Sequence, residues 1–378
     1  MESQSSDINE AIQASGEATL EQATNKAKEK IDSLFNVRLD IAVTGETGSG
    51  KSSFVNALRG LKDNDEDAAP VGVTETTTEP TPYQHPTMPN VTLWDLPGIG
   101  SSKFKAKTYL KDVTFDRYDF FLIVSSVRFR ENDIKLAKNI KKKKKLFYFI
   151  RSKIDLDVQS KNERQGIDKE ETLSEIRKNC EEGLNGIGNP KIFLVSSWNI
   201  FEFDFEKLIE TLESELPEHK QSALMQSVPV YSVAILEKKV KMFQIVTWAV
   251  AFISGAIAVA PVPGLSFSCD MAIVGSFFTS IYHSFGLDNK SLERLSVQVN
   301  KPHLKSLKMS PLVAELMKMS SLSLGASALG KLVFRLVPVA GSAAAAAISF
   351  TTTRTVLLKG LDELAEEARK VLRAAQLK

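Results

Sequence analysis

Apolar positions in the first part of the chain change period repeatedly. Ile8 and Ile12 stand four apart, and Leu20, Ala23, Ala27, Ile31 and Leu34 recur at three or four. That spacing predicts helix over 7–35. Leu39, Ile41 and Val43 alternate, the period of a half-buried strand. A Gly-rich turn follows, then a short predicted helix over 52–59 stopped by Gly60. Residues 62–82 hold acids, Thr and Pro and read as a loop. Residues 91–94 read as a strand. The runs 120–124 and 146–150 are continuously apolar, as strands buried on both faces require. Ile134, Ala137 and Ile140 mark a helix between them. A helix over 168–183, a strand over 192–195 and a helix over 205–216, ended by Pro217, continue the alternation. Strand and helix in turn imply a mostly parallel sheet with crossover helices on both faces.

After residue 230 the strand pattern fades. Helical periods cover about 231–260, 267–286, 289–298, 310–331, 341–350 and 354–376. Val262-Pro263-Gly264 and Val337-Pro338-Val339-Ala340-Gly341 interrupt apolar stretches and read as turns of helical hairpins. The expected organisation is an N-terminal helical segment, 1–36, an α/β domain, 37–216, a linker, 217–230, and an all-α domain, 231–378.

Composition supports the division. The chain has 378 residues and is 43% hydrophobic, enough for two cores and too much for a disordered chain. Its net charge of +2 hides an asymmetry: residues 1–230 carry 31 basic and 37 acidic side chains, residues 231–378 carry 17 and 9. Two parts of opposite sign suggest two kinds of partner. Residues 242–269 hold no charge. That length could span the roughly 30 Å of a bilayer, but Pro261 and Pro263 break it, and buried helices are expected instead. Cys180 and Cys269 lack both disulfide and metal-ligand patterning. The polar start has no signal-peptide core, and Glu2 stands where N-myristoylation needs glycine. The reducing cytosol is the expected compartment.

Gly45-Glu46-Thr47-Gly48-Ser49-Gly50-Lys51-Ser52 fits G-x-x-x-x-G-K-[ST], after a predicted strand and before a predicted helix. Glycines let backbone N–H groups turn inward around phosphates. Lys51 adds a cation at the β and γ oxygens, the helix N-terminus adds its dipole, and Ser52 offers a hydroxyl to Mg²⁺. Asp95-Leu96-Pro97-Gly98 ends the strand 43 residues after Ser52. An aspartate there can hold Mg²⁺ through water, and the Gly98 N–H can meet a γ-phosphate. The loop between holds Thr74, Thr76, Thr77, Thr78 and Thr81, one of which could close on the metal. Ser152-Lys153-Ile154-Asp155 follows the strand 146–150 and fits [NTS]-K-x-D. A carboxylate can accept from guanine N1–H and N2–H₂; adenine has no matching donor pair, which disfavours ATP. Ser196 and Ser197, after the last strand, stand where a backbone N–H could contact guanine O6.

Together these residues resemble the immunity-related GTPases of the interferon-inducible type. The run from Thr44 through Gly45, Glu46, Thr47, Gly48, Ser49, Gly50, Lys51, Ser52 and Ser53 to Gly60 is close to the family's loop and first helix. So are Thr81-Pro82-Tyr83-Gln84-His85-Pro86 and the stretch from Pro89 to Gly100, with the Ala260-Pro261-Val262-Pro263-Gly264 turn. The resemblance implies a Ras-like P-loop GTPase domain plus an all-α helical domain. It implies GTP and GDP as ligands with Mg²⁺, slow hydrolysis, and a homodimer or larger GTP-dependent assembly. It also implies a cytoplasmic protein partly associated with intracellular membranes: endoplasmic reticulum, Golgi or pathogen-containing vacuole. The nucleotide set is then Gly45 to Ser53 with Lys153, Asp155, Ser196 and Ser197. The metal set is Ser52, Thr77 and Asp95, and the catalytic set Lys51, Glu75, Thr77 and Gly98. Gly-Lys-Ser at 50–52 marks the assembling subclass. Ser152 departs from the usual Thr or Asn, and the acylation glycine of some members is absent.

Ile99 follows Gly98, where many small GTPases carry a water-orienting Gln; Ile cannot orient water, so the lone molecule should be slow. The alternative is a GTP- or GDP-dependent scaffold without useful turnover. The lysines of 141–145 read as a solvated helix end, and no nucleic-acid partner is expected. Residues 357–377 form an amphipathic helix with a mixed polar face. His85, His219, His283 and His303 have no catalytic neighbours in sequence.

Overall fold

The computed structural model describes residues 9, 12–72, 77–99, 109–200, 202–256, 266–319 and 350–377. The chain divides into two compact units: Arg38–Val228, and Met1–Val37 with Pro229–Lys378.

The first unit is built on a six-stranded sheet. Its strands are β1 (Leu39–Gly45), β2 (Thr81–Gln84), β3 (Val91–Asp95), β4 (Phe120–Ser125), β5 (Leu146–Arg151) and β6 (Ile192–Leu194). Their order is β2-β3-β1-β4-β5-β6, with β2 antiparallel and the rest parallel. The chain runs to one side of β1 and then crosses to the other, so the end of β1 is a topological switch point, where α/β folds bind ligands. Gly45 lies there, in register with Val124. The helices of this unit are α2 (Lys51–Leu58), α3 (Tyr109–Asp112), α4 (Glu131–Lys142), α5 (Ile154–Gln165), α6 (Lys169–Gly183), α7 (Phe205–Glu215) and α8 (Glu218–Ser227); α1 (Leu20–Phe35) belongs to the other unit. Ala42, Phe121, Ile123 and Phe149 share a core with Leu136, Ala137 and Ile140 of α4 and Cys180 of α6. Ile41, Val43 and Leu122, on the opposite face, are also buried.

In the second unit α1 packs with α9 (Val233–Ala256), α10 (Ser266–Ser284), α12 (Pro311–Met319) and α13 (Phe350–Ala375); α11 (Asn289–Gln298) joins them through Leu292. Gly360 lets α13 approach α10: a Cβ there would sit 2.2 Å from Phe278 Cε1. Lys239, fully buried, donates to the Ser284 carbonyl and hydroxyl at 2.8 and 2.9 Å, at the end of α10. Burial pushes its pKa well below the usual lysine range. No helix among the described residues is long and apolar enough to cross a membrane.

Several elements differ from the sequence pattern. The helix expected over 7–35 breaks at Gly16, whose φ is +72°, and α1 starts afresh with the Thr19 hydroxyl accepting from Gln22 N–H. β1 is buried throughout rather than half-buried. Asp40, on its expected polar side, instead accepts the Trp94 indole N–H at 2.8 Å and pairs with Arg38 at 2.8 Å. β2 lies inside the expected loop at one end and carries Pro82, which an edge strand tolerates. α5 has only one buried apolar residue, Ile154, so it leaves almost no period to read. The segment expected to be a linker holds α8, whose Ala223, Leu224 and Met225 are buried. Lys220 of that helix pairs with Asp119, which also accepts the Asp40 N–H. Both hairpin turns, residues 341–349 of the helix expected over 341–350 and the end of that over 310–331 lie outside the described residues, as does the side chain of Cys269.

Candidate functional site

The phosphate loop owes its shape to three left-handed or steeply twisted glycines. Gly45 has φ +141°, and a Cβ there would lie 2.0 Å from the Val124 carbonyl oxygen, so β4 leaves room for no side chain. Gly48 and Gly50 have φ +79° and +87°, conformations that glycine adopts without cost. Gly50 then caps α2, which aims the helix N-terminus into the loop. The Lys51 ammonium donates to the Glu46 carbonyl at 2.9 Å, folding the loop over its own cation.

Thr47, Gly48, Gly50, Lys51, Ser52 and Ser53 line one side of a cavity of about 600 Å³. Thr77 and Gly98 line it from the β3 side. Ser152, Lys153, Asp155 and Ser197 line its far end. Four predicted residues stand differently. Gly45 sits behind the loop, against β4. Glu46 turns its carboxylate to Arg130 at 3.0 Å. Ser49 is buried, and its carbonyl accepts from the Ser152 hydroxyl at 2.7 Å. The Ser196 hydroxyl accepts from the Trp198 and Asn199 N–H groups at 3.2 and 3.1 Å, so it shapes its own loop rather than facing the cavity. Ser53 lines the cavity while its hydroxyl donates to Asp63 at 2.9 Å. Glu75 lies outside the described residues, with Thr74 and Thr76.

At the β3 end, two hydroxyls converge on one carboxylate oxygen. Ser52 Oγ and Thr77 Oγ1 donate to Asp95 Oδ2 at 2.6 and 2.8 Å. Asp95 is 1% exposed, and its Oδ1 is buried with no hydrogen-bond partner among the described residues. Burial raises its pKa, partly opposed by the Ser52 and Thr77 hydrogen bonds and by Lys51. A buried, under-satisfied carboxylate beside two hydroxyls is an all-oxygen donor set, the chemistry that suits Mg²⁺. Gly98 packs on the loop so closely that a Cβ would fall 2.2 Å from Thr47 Oγ1. Ile99 N–H donates to the Gly45 carbonyl at 3.1 Å, and its side chain is buried in the core. A glutamine at 99 would therefore put its amide in the core rather than beside a water.

At the far end, Lys153 takes a left-handed φ of +59° and its ammonium donates to the Gly48 carbonyl at 3.1 Å. The lysine stem is thereby laid along the loop. No described residue hydrogen-bonds the Asp155 carboxylate, which leaves both oxygens available to a pair of donors. The sequence pattern missed five lining residues: Asp63, Val71, Gly72, Leu156 and Trp198. Trp198 follows Ser196-Ser197 directly, which is a usable signal; Asp63 and Val71 sit in a loop and carry none.

Asp133 lies near the loop at the start of α4. Its Oδ2 accepts the Arg130 N–H at 2.9 Å, while its Oδ1 is buried without a described partner. Burial is the main cause that pushes its pKa from 3.8 to about 6, with Glu46 adding repulsion. A raised carboxylate pKa means the folded state holds the proton more tightly. The resulting stabilisation is fully present below the unfolded value near 4 and is lost as pH rises through about 6. Over that window it amounts to about 3 kcal/mol at most. Asp133→Asn should keep the cap and flatten this slope, measured as the urea midpoint between pH 4 and 7.5. An equally steep slope in the variant would remove Asp133 as the cause.

Comparison with known proteins agrees with this geometry. A family model described as Interferon-inducible GTPase (IIGP) matches residues 2–375. Interferon-inducible GTPase 5 of Rattus norvegicus is 42% identical over 362 residues, covering 93% of this chain and 78% of that protein. Interferon-inducible GTPase 1 of Mus musculus is 42% identical over 278 residues, covering 72% of this chain and 67% of that protein. T-cell-specific guanine nucleotide triphosphate-binding protein 2 of Mus musculus is 39% identical over 289 residues, covering 75% and 69%. A model match that runs almost from end to end, with relatives this similar over most of both chains, settles the family: this chain belongs to the interferon-inducible GTPases.

Proposed function

We propose that this protein binds GTP and hydrolyses it to GDP and phosphate, and that it self-assembles on intracellular membranes as it does so. The observation that carries the chemistry is the convergence of Ser52 and Thr77 on Asp95 in the same cavity that Lys51, Lys153 and Asp155 line. Backbone N–H groups of the cavity-lining loop residues and the Lys51 ammonium hold the β and γ oxygens. Ser52 and Thr77 would hold Mg²⁺ through their hydroxyls and Asp95 through water; the bound ion would neutralise charge on those oxygens. The Gly98 N–H meets the γ-phosphate, and Glu75, two residues before Thr77 in sequence, is the proposed catalytic neighbour. Asp155 accepts from guanine N1–H and N2–H₂, and the Lys153 stem lies along the base.

With Ile99 in the core, no side chain at that position can orient the attacking water. An arginine finger supplied by a partner is worth about 10³–10⁵-fold in other GTPases, so completion in trans can offset a slow lone site. A second copy meeting the first in a homodimer or larger assembly is the proposed source. The basic excess of residues 231–378 supports an anionic membrane surface as a further partner, with the protein cytoplasmic and partly bound to endoplasmic reticulum, Golgi or pathogen-containing vacuole. A role in interferon-induced cell-autonomous defence follows the family and relatives named for immunity, such as Immunity-related GTPase family M protein 1 of Mus musculus. The same Ile99 also favours a second reading, a scaffold switched by GTP and GDP without useful turnover.

Steady-state phosphate release separates the two. With GTP saturating, the rate per molecule should rise with protein concentration over a hundredfold range and then level off, and anionic liposomes should shift the rise to lower concentration. A rate per molecule that stays flat, with and without liposomes, would leave the scaffold.

A further inference from the structure

Trp198 is 77% exposed, more than any other large hydrophobic residue among those described. Leaving an indole in water is unfavourable unless something covers it. Its position says what. Trp198 lines the cavity beside Ser197, and Leu156, 54% exposed, lines it next to Asp155. Trp198 sits in the loop after β6 and Leu156 in the first turn of α5 after β5, and these neighbouring strands form the edge of the sheet away from β1. The phosphate loop follows β1, so a nucleotide laid from that loop to Asp155 ends with its base against these two side chains. On the loop side the base meets the Lys153 stem, tied to Gly48 and so close that a Cβ on Gly50 would lie 3.6 Å from Lys153 Cε. On the β6 side the first large group is Trp198. Its backbone is pinned, because its N–H and that of Asn199 donate to the buried Ser196 hydroxyl. The loop is thus held while the ring is left in solvent, a platform rather than a loose side chain.

We propose that Trp198 is a nucleotide-binding residue that covers the guanine base by stacking, opposite the Lys153 stem, with Leu156 closing the edge beside Asp155. This rests on the guanine-nucleotide reading of the cavity and adds a wall to it. Stacking is indifferent to the base's hydrogen-bonding edge, so Trp198 adds affinity and residence while Asp155 keeps the choice of base.

The test is calorimetric titration of the full chain with GDP and Mg²⁺, and separately with tripolyphosphate, which has no base. Trp198→Ala should weaken GDP about 10- to 100-fold, the usual range for removing one stacked aromatic. Trp198→Phe should stay within about threefold, because a phenyl ring still stacks. Tripolyphosphate should bind both variants as it binds the native protein, which also shows that the loop is folded. Indole fluorescence gives a second readout. Trp94 is buried and Trp248 half-buried, so Trp198 dominates acrylamide quenching, and GDP should protect it. If the native protein binds GDP and Trp198→Ala binds it within twofold, the stacking proposal is overturned while the cavity reading stands. Equal losses for GDP and tripolyphosphate would also overturn it, as would an effect on sedimentation alone, which would make Trp198 a protein contact. Failure of the native protein to bind GDP would overturn the cavity reading itself.

Discussion

Replacing Lys51 with alanine is expected to weaken GTP binding by roughly 10²–10⁴-fold. The side chain is 7% exposed and its ammonium is folded back to the Glu46 carbonyl at 2.9 Å, so it stands inside the loop rather than reaching in from solvent. Two charge-assisted hydrogen bonds to phosphate oxygens, at about 1.5–3 kcal/mol each, give that range. The variant also leaves the Glu46 carbonyl without this donor. The strands of the sheet do not depend on Lys51, so the far-ultraviolet dichroism should be unchanged. Binding of fluorescent GTP within a factor of two of the native protein would remove the loop from the phosphate site.

The second large effect concerns the base. Asp155→Asn is expected to invert preference from GTP to XTP, with a swing of about 100-fold or more. A site built to pair a substrate's N–H groups rejects a ligand that cannot supply them, because a buried polar group is left unpaired. The new amide can donate to the xanthine oxygen that replaces the guanine amino group. Asp155 lies in the first turn of α5, two residues after Lys153, whose left-handed backbone turns the chain at the end of β5. That turn fixes the carboxyl's place, and asparagine, of the same shape, should keep it. Competition between GTP and XTP against one labelled nucleotide measures the swing; a variant that still prefers GTP would mean that another group reads the base.

What could be read from the chain was what depends on neighbours in sequence. The turn from Gly45 to Ser52, the Asp95-Leu96-Pro97-Gly98 turn and the Ser152–Asp155 turn are each built from contiguous residues at the end of a strand, so spacing alone exposes them. The parallel sheet was legible for a similar reason, since β4 and β5 are continuous apolar runs. What failed depends on tertiary contacts. Asp40 looks like the polar side of β1 until Trp94 and Arg38 enclose it. β2 is short, holds Pro82 and gains its partner only by lying beside β3. The helix α8 looks like a linker because prolines bracket it, yet its apolar face is buried. In the site, the part of Ser196 that spacing cannot reveal is its hydroxyl, which accepts from two N–H groups of its own loop. Trp198, two residues further, belongs to no motif; its place directly after Ser196-Ser197 is the one signal the sequence offers, and its exposure at the cavity marks it in the structure.

The most direct test of guanine-selective hydrolysis is a product assay on the native full chain at high protein concentration. GTP and ATP are supplied separately with Mg²⁺, and the nucleotides are separated by ion-exchange chromatography after a fixed time. The expected result is conversion of GTP to GDP with one phosphate released per GDP formed, and ATP left intact. Equal conversion of ATP, or GTP that is bound but never cleaved at any protein concentration, would contradict it.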